Sequence, residues 1–135
     1  MHAHAQALAT PEHRVRISIL WVCVVLNIIL ADIVGFLHPG VLERIITGSV
    51  GFTLTQELLL VFSVLLQIPV AMVFLSRILA PRANRWLNTA AVLLTALFVV
   101  GGGSGTLSYV FFASLEMVAM LGILWYTWHT PTRAG

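Results

Sequence analysis

From Trp86 to Trp128 the chain carries a single charged residue, Glu116. As one helix this stretch would be about 65 Å long, twice the ~30 Å hydrocarbon core of a bilayer. Gly101-Gly102-Gly103-Ser104-Gly105 stands near its middle, a poor helix interior and a good turn. The stretch therefore reads as two membrane spans, roughly 86–101 and 107–128. Two more apolar runs precede it. Ile17 to Leu37 contains one charge, Asp32, and Thr55 to Leu79 has Glu57 near its start and Arg77 near its end. Each is long enough to cross a bilayer. The composition fits, with 59% hydrophobic and only 9% charged residues in a chain of 135. A soluble fold this short has too much surface for its volume to hide so much apolar area. The expected architecture is all-α: a polytopic membrane protein forming a four-transmembrane-helix bundle. One membrane domain spans 17–128, with a disordered tail over 1–16 and a short tail over 129–135.

Arginine placement predicts the orientation. Arg14, Arg16, Arg77, Arg82, Arg85 and Arg133 fall on one side of a four-span arrangement and Arg44 alone on the other. Short loops rich in basic residues stay in the cytoplasm, so both termini are expected inside. The first span is too long for a signal-peptide core, and no small-residue cleavage site follows it. The one long connection, 38–53, faces outside in this arrangement. Within it Val41, Leu42, Ile45 and Ile46 share a helical face opposite Glu43 and Arg44, which predicts a short amphipathic helix in the outer interface. Pro39 suits its start and Gly48 its end. Trp21, Trp86, Trp125 and Trp128 read as interfacial anchors at the cytoplasmic side.

The basic residues are all Arg, as a GC-rich bacterial genome would encode, and the expected address is the bacterial inner (plasma) membrane. A pI near 9.3 rests on a net charge of only +2, and the Arg residues flank apolar runs. That argues against a nucleic-acid partner and for the lipid bilayer. Cys23 is a lone cysteine in an apolar run, expected as a small buried packing residue. His2 and His4 sit in the solvated tail. No phosphate-binding loop, in-span metal pattern or nucleophile elbow is present, so neither an enzyme nor a cofactor is expected.

The polar residues within the spans are the candidate site. Glu116 lies about 14 Å into the last span, with no basic residue at its depth, and a neutral, protonated carboxyl is expected there. Tyr109, two turns earlier on the same face, is its expected hydroxyl partner. Asp32 lies about 7 Å from the outer end of the first span and is expected to pair with Arg44 or His38. Glu57 is nearer outer water. Asn27 and Gln67 fall near mid-membrane, and their structural role would be hydrogen bonding between helices. Gln56, Ser63 and Gln67 share one face of the second span, and Asn88, Ala91 and Thr95 one face of the third, both readable as close-packing stripes. Pro69 predicts a kink in the second span. A faint repeat at an offset of 49 matches Val61-Phe62 with Val110-Phe111 and Leu66-Gln67 with Leu115-Glu116. It would fit two hairpins related by an axis along the membrane normal.

Leu26-Asn27, Ala31-Asp32-Ile33-Val34-Gly35-Phe36, Thr55-Gln56-Glu57, Ser76-Arg77 and Arg82-Ala83-Asn84-Arg85-Trp86 resemble recurrent stretches of a bacterial family of small four-span membrane proteins catalogued as a domain of unknown function. The likeness covers roughly residues 17–128 and implies the topology and a plasma-membrane address, with no substrate or catalytic residue. A more distant likeness is to DoxX-like four-span proteins, some of which work beside membrane oxidoreductases, without a matching signature. Two functional expectations follow. One is a protein that binds or moves an unidentified small solute or a proton, as a homo-oligomer because four short helices enclose little space. The other is a non-catalytic subunit or scaffold of a larger membrane complex. Asn27, Gln67 and Glu116 discriminate between them: a shared cavity favours the first, separate seals the second.

Overall fold

The computed structural model describes the backbone of residues 2–129 and the side chains of residues 12–129. Five helices follow in order: α1 (His2–Phe36), α2 (Val41–Ile46), α3 (Gln56–Ile78), α4 (Pro81–Gly101) and α5 (Leu107–His129). Four segments are long and apolar enough to cross a membrane: Glu12–Phe36, Gln56–Ile78, Pro81–Gly101 and Leu107–His129. The glycine run does separate the last two. The tail expected to be disordered over 1–16 is instead helical from His2, continuous with the first span. Its Ala, Gln and Leu residues extend a helix that the apolar segment has already nucleated. The tail expected beyond 129 lies outside the described residues.

Local chemistry sets the boundaries. Thr55 caps α3 by accepting a hydrogen bond from the Leu58 amide through its hydroxyl. Pro81 opens α4 in the first turn, where a missing N–H costs nothing. The short α2 starts after Gly40 and ends before Gly48, both with positive φ, at 77° and 73°. Pro39 precedes that start rather than forming it. α3 runs unbroken through Pro69, which is buried.

α1 packs against α3 and α5, and α4 packs against the same two helices, so α1 and α4 face each other diagonally. This is an up-down-up-down bundle with short connections. The Ser18 hydroxyl donates to the Val73 carbonyl at 2.7 Å, and the Arg14 guanidinium donates to the carbonyl of Arg77 at the end of α3. At the opposite end His38 hydrogen-bonds Ser108, tying the exit of α1 to the entry of α5. α1 and α5 approach closely at Gly122, where an added Cβ would sit 3.3 Å from Leu20 Cδ1.

Burial is lopsided along the bundle axis. On α1 it runs from Ile17 to Ile28, on α3 from Pro69 to Ser76, and on α5 from Glu116 to Thr127, whereas on α4 it extends from Asn84 to Val99. Thus α1 beyond Ile28, α3 before Pro69 and α5 before Glu116 contain no buried residue. The helices interlock at the end bearing Arg14, Arg77 and Arg82 and stand more open at the glycine-turn end. The outward faces carry Leu, Ile, Val and Phe, the surface that lipid solvates. Cys23 is exposed there, against the expectation of burial.

Candidate membrane-embedded polar site

Two sets of polar side chains occupy the interior, and they differ in how well they are satisfied. The first lies toward the arginine end. Trp21, fully buried on α1, donates its indole N–H across the bundle diagonal to Asn88 Oδ1 at 2.7 Å. Asn88 Nδ2 donates in turn to the Asn84 carbonyl at 2.7 Å and to Asn84 Oδ1 at 2.8 Å. Trp21 is therefore a core residue and not an interfacial anchor. Trp86, Trp125 and Trp128 are exposed, and Arg85 stacks 4.9 Å over the Trp128 ring. The face of Asn88, Ala91 and Thr95 is buried throughout, as a close-packing stripe requires. The spacing of Trp21 does not signal this network, because its partner Asn88 lies on a helix not adjacent in sequence, whereas Asn84 and Asn88 are one turn apart on α4.

The second set centres on Glu116. Its side chain is 2% exposed, and no hydrogen bond holds its carboxyl among the described residues; unlike the Ser76 and Thr95 hydroxyls, its oxygens are not fully enclosed. Asp32 on α1 and Tyr109 on α5 lie within electrostatic reach. Tyr109 does not serve Glu116: its hydroxyl donates to the Val99 carbonyl and joins the end of α4 to the start of α5. Asp32 is exposed and, among the described residues, pairs with neither Arg44 nor His38; His38 is engaged by Ser108 instead. Thr95 on α4 is 4% exposed and its hydroxyl, like that of the buried Ser76, has no partner among the described residues. Glu116 is thus the first buried residue of α5 met from the open end.

The remaining candidates disperse. Asn27 turns its amide N–H onto the Cys23 carbonyl of its own helix at 2.8 Å, so it makes no bond between helices. Gln67 is exposed, as are Gln56 and Ser63, and the stripe they form points away from the bundle. Glu57 is exposed beside the Thr55 cap. Asn27, Gln67 and Glu116 therefore line no common cavity. At offset 49 the matched residues Gln67 and Glu116 lie in opposite surroundings, one on the surface and one in the core. A groove of about 470 Å³ opens between the end of α4 and the start of α5, lined by Val99, Ser104, Tyr109, Val110, Ser114 and Met117 among others. Among the described residues no three His, Cys, Asp or Glu side chains gather as a metal site would need. The side chains of His2 and His4 lie outside the described ones.

A family of unknown function, DUF6326, matches residues 9–134. The chain belongs to this family. The match bears out the resemblance read from the span motifs, and the four apolar helices make this DUF6326 member a membrane protein by length and composition. No curated protein and no solved structure matches. Nothing in these comparisons supports the DoxX-like likeness.

Proposed function

We propose that this DUF6326 protein is a non-enzymatic membrane protein in which Glu116 exchanges a proton or small cation within the bilayer. The observation that carries this is Glu116 itself: an ionisable side chain only 2% exposed and deep in a span, at the edge of the open half of the bundle. An ionisable side chain in a membrane core is costly, and such a residue is more often functional than structural. Asp32, exposed toward the open end and within electrostatic reach, supplies a route between Glu116 and the outer face. We assign the termini to the cytoplasm and the protein to a bacterial inner membrane, on the arginine distribution.

The test is proton flux into vesicles containing the purified protein, driven by an imposed gradient. Wild-type flux that disappears in Glu116→Gln and survives in Glu57→Gln supports the reading. Wild-type flux that persists in Glu116→Gln removes Glu116 from the mechanism. Absence of flux in the wild type favours the second reading, a non-catalytic subunit, which the dispersal of Asn27 and Gln67 supports.

A further inference from the structure

Gln67 stands eleven residues from each end of α3, at the centre of that span. It is also nine residues from the fully buried Ser76, two and a half helical turns, so the two side chains leave α3 about 180° apart. Ser76 faces the bundle core, and Gln67 therefore faces directly away from it. Gln56, Leu60, Ser63 and Phe74 lie on the same outward face, and all are exposed. Ser63 satisfies its hydroxyl on the Leu59 carbonyl at 2.8 Å. Gln67 has no such bond among the described residues. A primary amide at mid-membrane, turned toward hydrocarbon, lacks both water and protein to bond with, which is a costly state.

We infer that this face of α3 is the contact surface of a homodimer, with Gln67 of one copy hydrogen-bonded to Gln67 of the second. The choice of occupant follows from symmetry and from amide chemistry. Two copies inserted the same way round are related by a two-fold axis along the membrane normal, and such an axis leaves depth unchanged. A residue near the axis then meets itself at the same level. An amide carries both donors and an acceptor, so it is complementary to its own copy, whereas Asp32 or Arg77 in that place would repel. α3 is also the span with the smallest buried share, 11% of its most apolar window, so it has the most surface left to cover. The interface stands independently of the role proposed for Glu116, since the two side chains lie on different helices and opposite sides of the bundle wall.

The full-length protein in phosphatidylethanolamine–phosphatidylglycerol vesicles tests this, with Cys23→Ser as background because Cys23 is itself exposed. Oxidation of Ser63→Cys should join two chains, and oxidation of Leu97→Cys, on the outward face of α4, should not. Energy transfer between labelled copies, followed as the vesicles are diluted with lipid, should show dimers that Gln67→Leu weakens roughly tenfold. Gln67→Leu puts an apolar side chain where lipid would be, so loss of folding does not confound the reading. A monomeric wild type, whether bare in lipid or bound to a different membrane protein, overturns the inference. So does cross-linking at Leu97→Cys in preference to Ser63→Cys, or a dimer that Gln67→Leu leaves unchanged.

Discussion

Asn88 has both its amide groups engaged, the oxygen by Trp21 and the nitrogen by Asn84, whereas the Glu116 carboxyl has no partner among the described residues. The same kind of substitution should therefore act in opposite directions at the two sites. Asn88→Leu strands the Trp21 indole N–H in the core, and we expect a loss of about 1–2 kcal/mol of stability. Thermal denaturation in detergent micelles measures it, and an unchanged midpoint would mean that the network contributes nothing. Glu116→Met replaces a buried carboxyl that no hydrogen bond holds among the described residues, and should raise stability by about 1–2 kcal/mol while abolishing any flux. Stability that falls instead would point to a carboxyl partner and a structural role. Glu116 was legible in the sequence as a deeply embedded acid, because depth follows from counting residues along a span. The behaviour of Tyr109 was not: its hydroxyl chooses between acceptors on two helices, and one-dimensional spacing carries no information about α4.

Span number at the level of elements followed from apolar run length and from the glycine turn, both local signals, whereas the third span begins at Pro81, five residues before the expected 86. Which face of each span turns inward was legible on α4, where Asn88, Ala91 and Thr95 do line the core. It was misread on α3, where the Gln56, Ser63 and Gln67 stripe looks the same in sequence but points outward. A polar stripe in a membrane helix marks a protein contact without saying whether the contact lies within the chain or between chains. α1 comes close to α5 at Gly122, whose missing side chain leaves room for Leu20. Gly122→Val would press on the Leu20 side chain and should cost about 1–3 kcal/mol, whereas Gly35→Val, with nothing near its Cβ position, should cost less. Equal midpoints for the two variants in a micelle denaturation series would contradict the close approach at Gly122.

At the scale of the whole molecule the bundle is closed around Trp21 and Asn88 and more open toward the glycine turn, with Glu116 at the boundary. With the arginine end in the cytoplasm, the open half faces outside. A C-terminal reporter active only in the periplasm should therefore give no signal, and a strong signal would invert the proposed topology. That lopsided packing was invisible in the sequence, since apolar residues continue evenly through both halves of α1, α3 and α5 and only the tertiary contacts separate them. The central claim is that a carboxyl buried in the membrane core, at the edge of the open half, trades its proton with water. Infrared difference spectra of the protein in lipid vesicles, recorded as the bulk pH is stepped, measure this directly through the carboxylic C=O stretch. The account predicts a band that gains and loses intensity with pH in the wild type and is missing in Glu116→Gln. A spectrum in which the two proteins respond alike would contradict it.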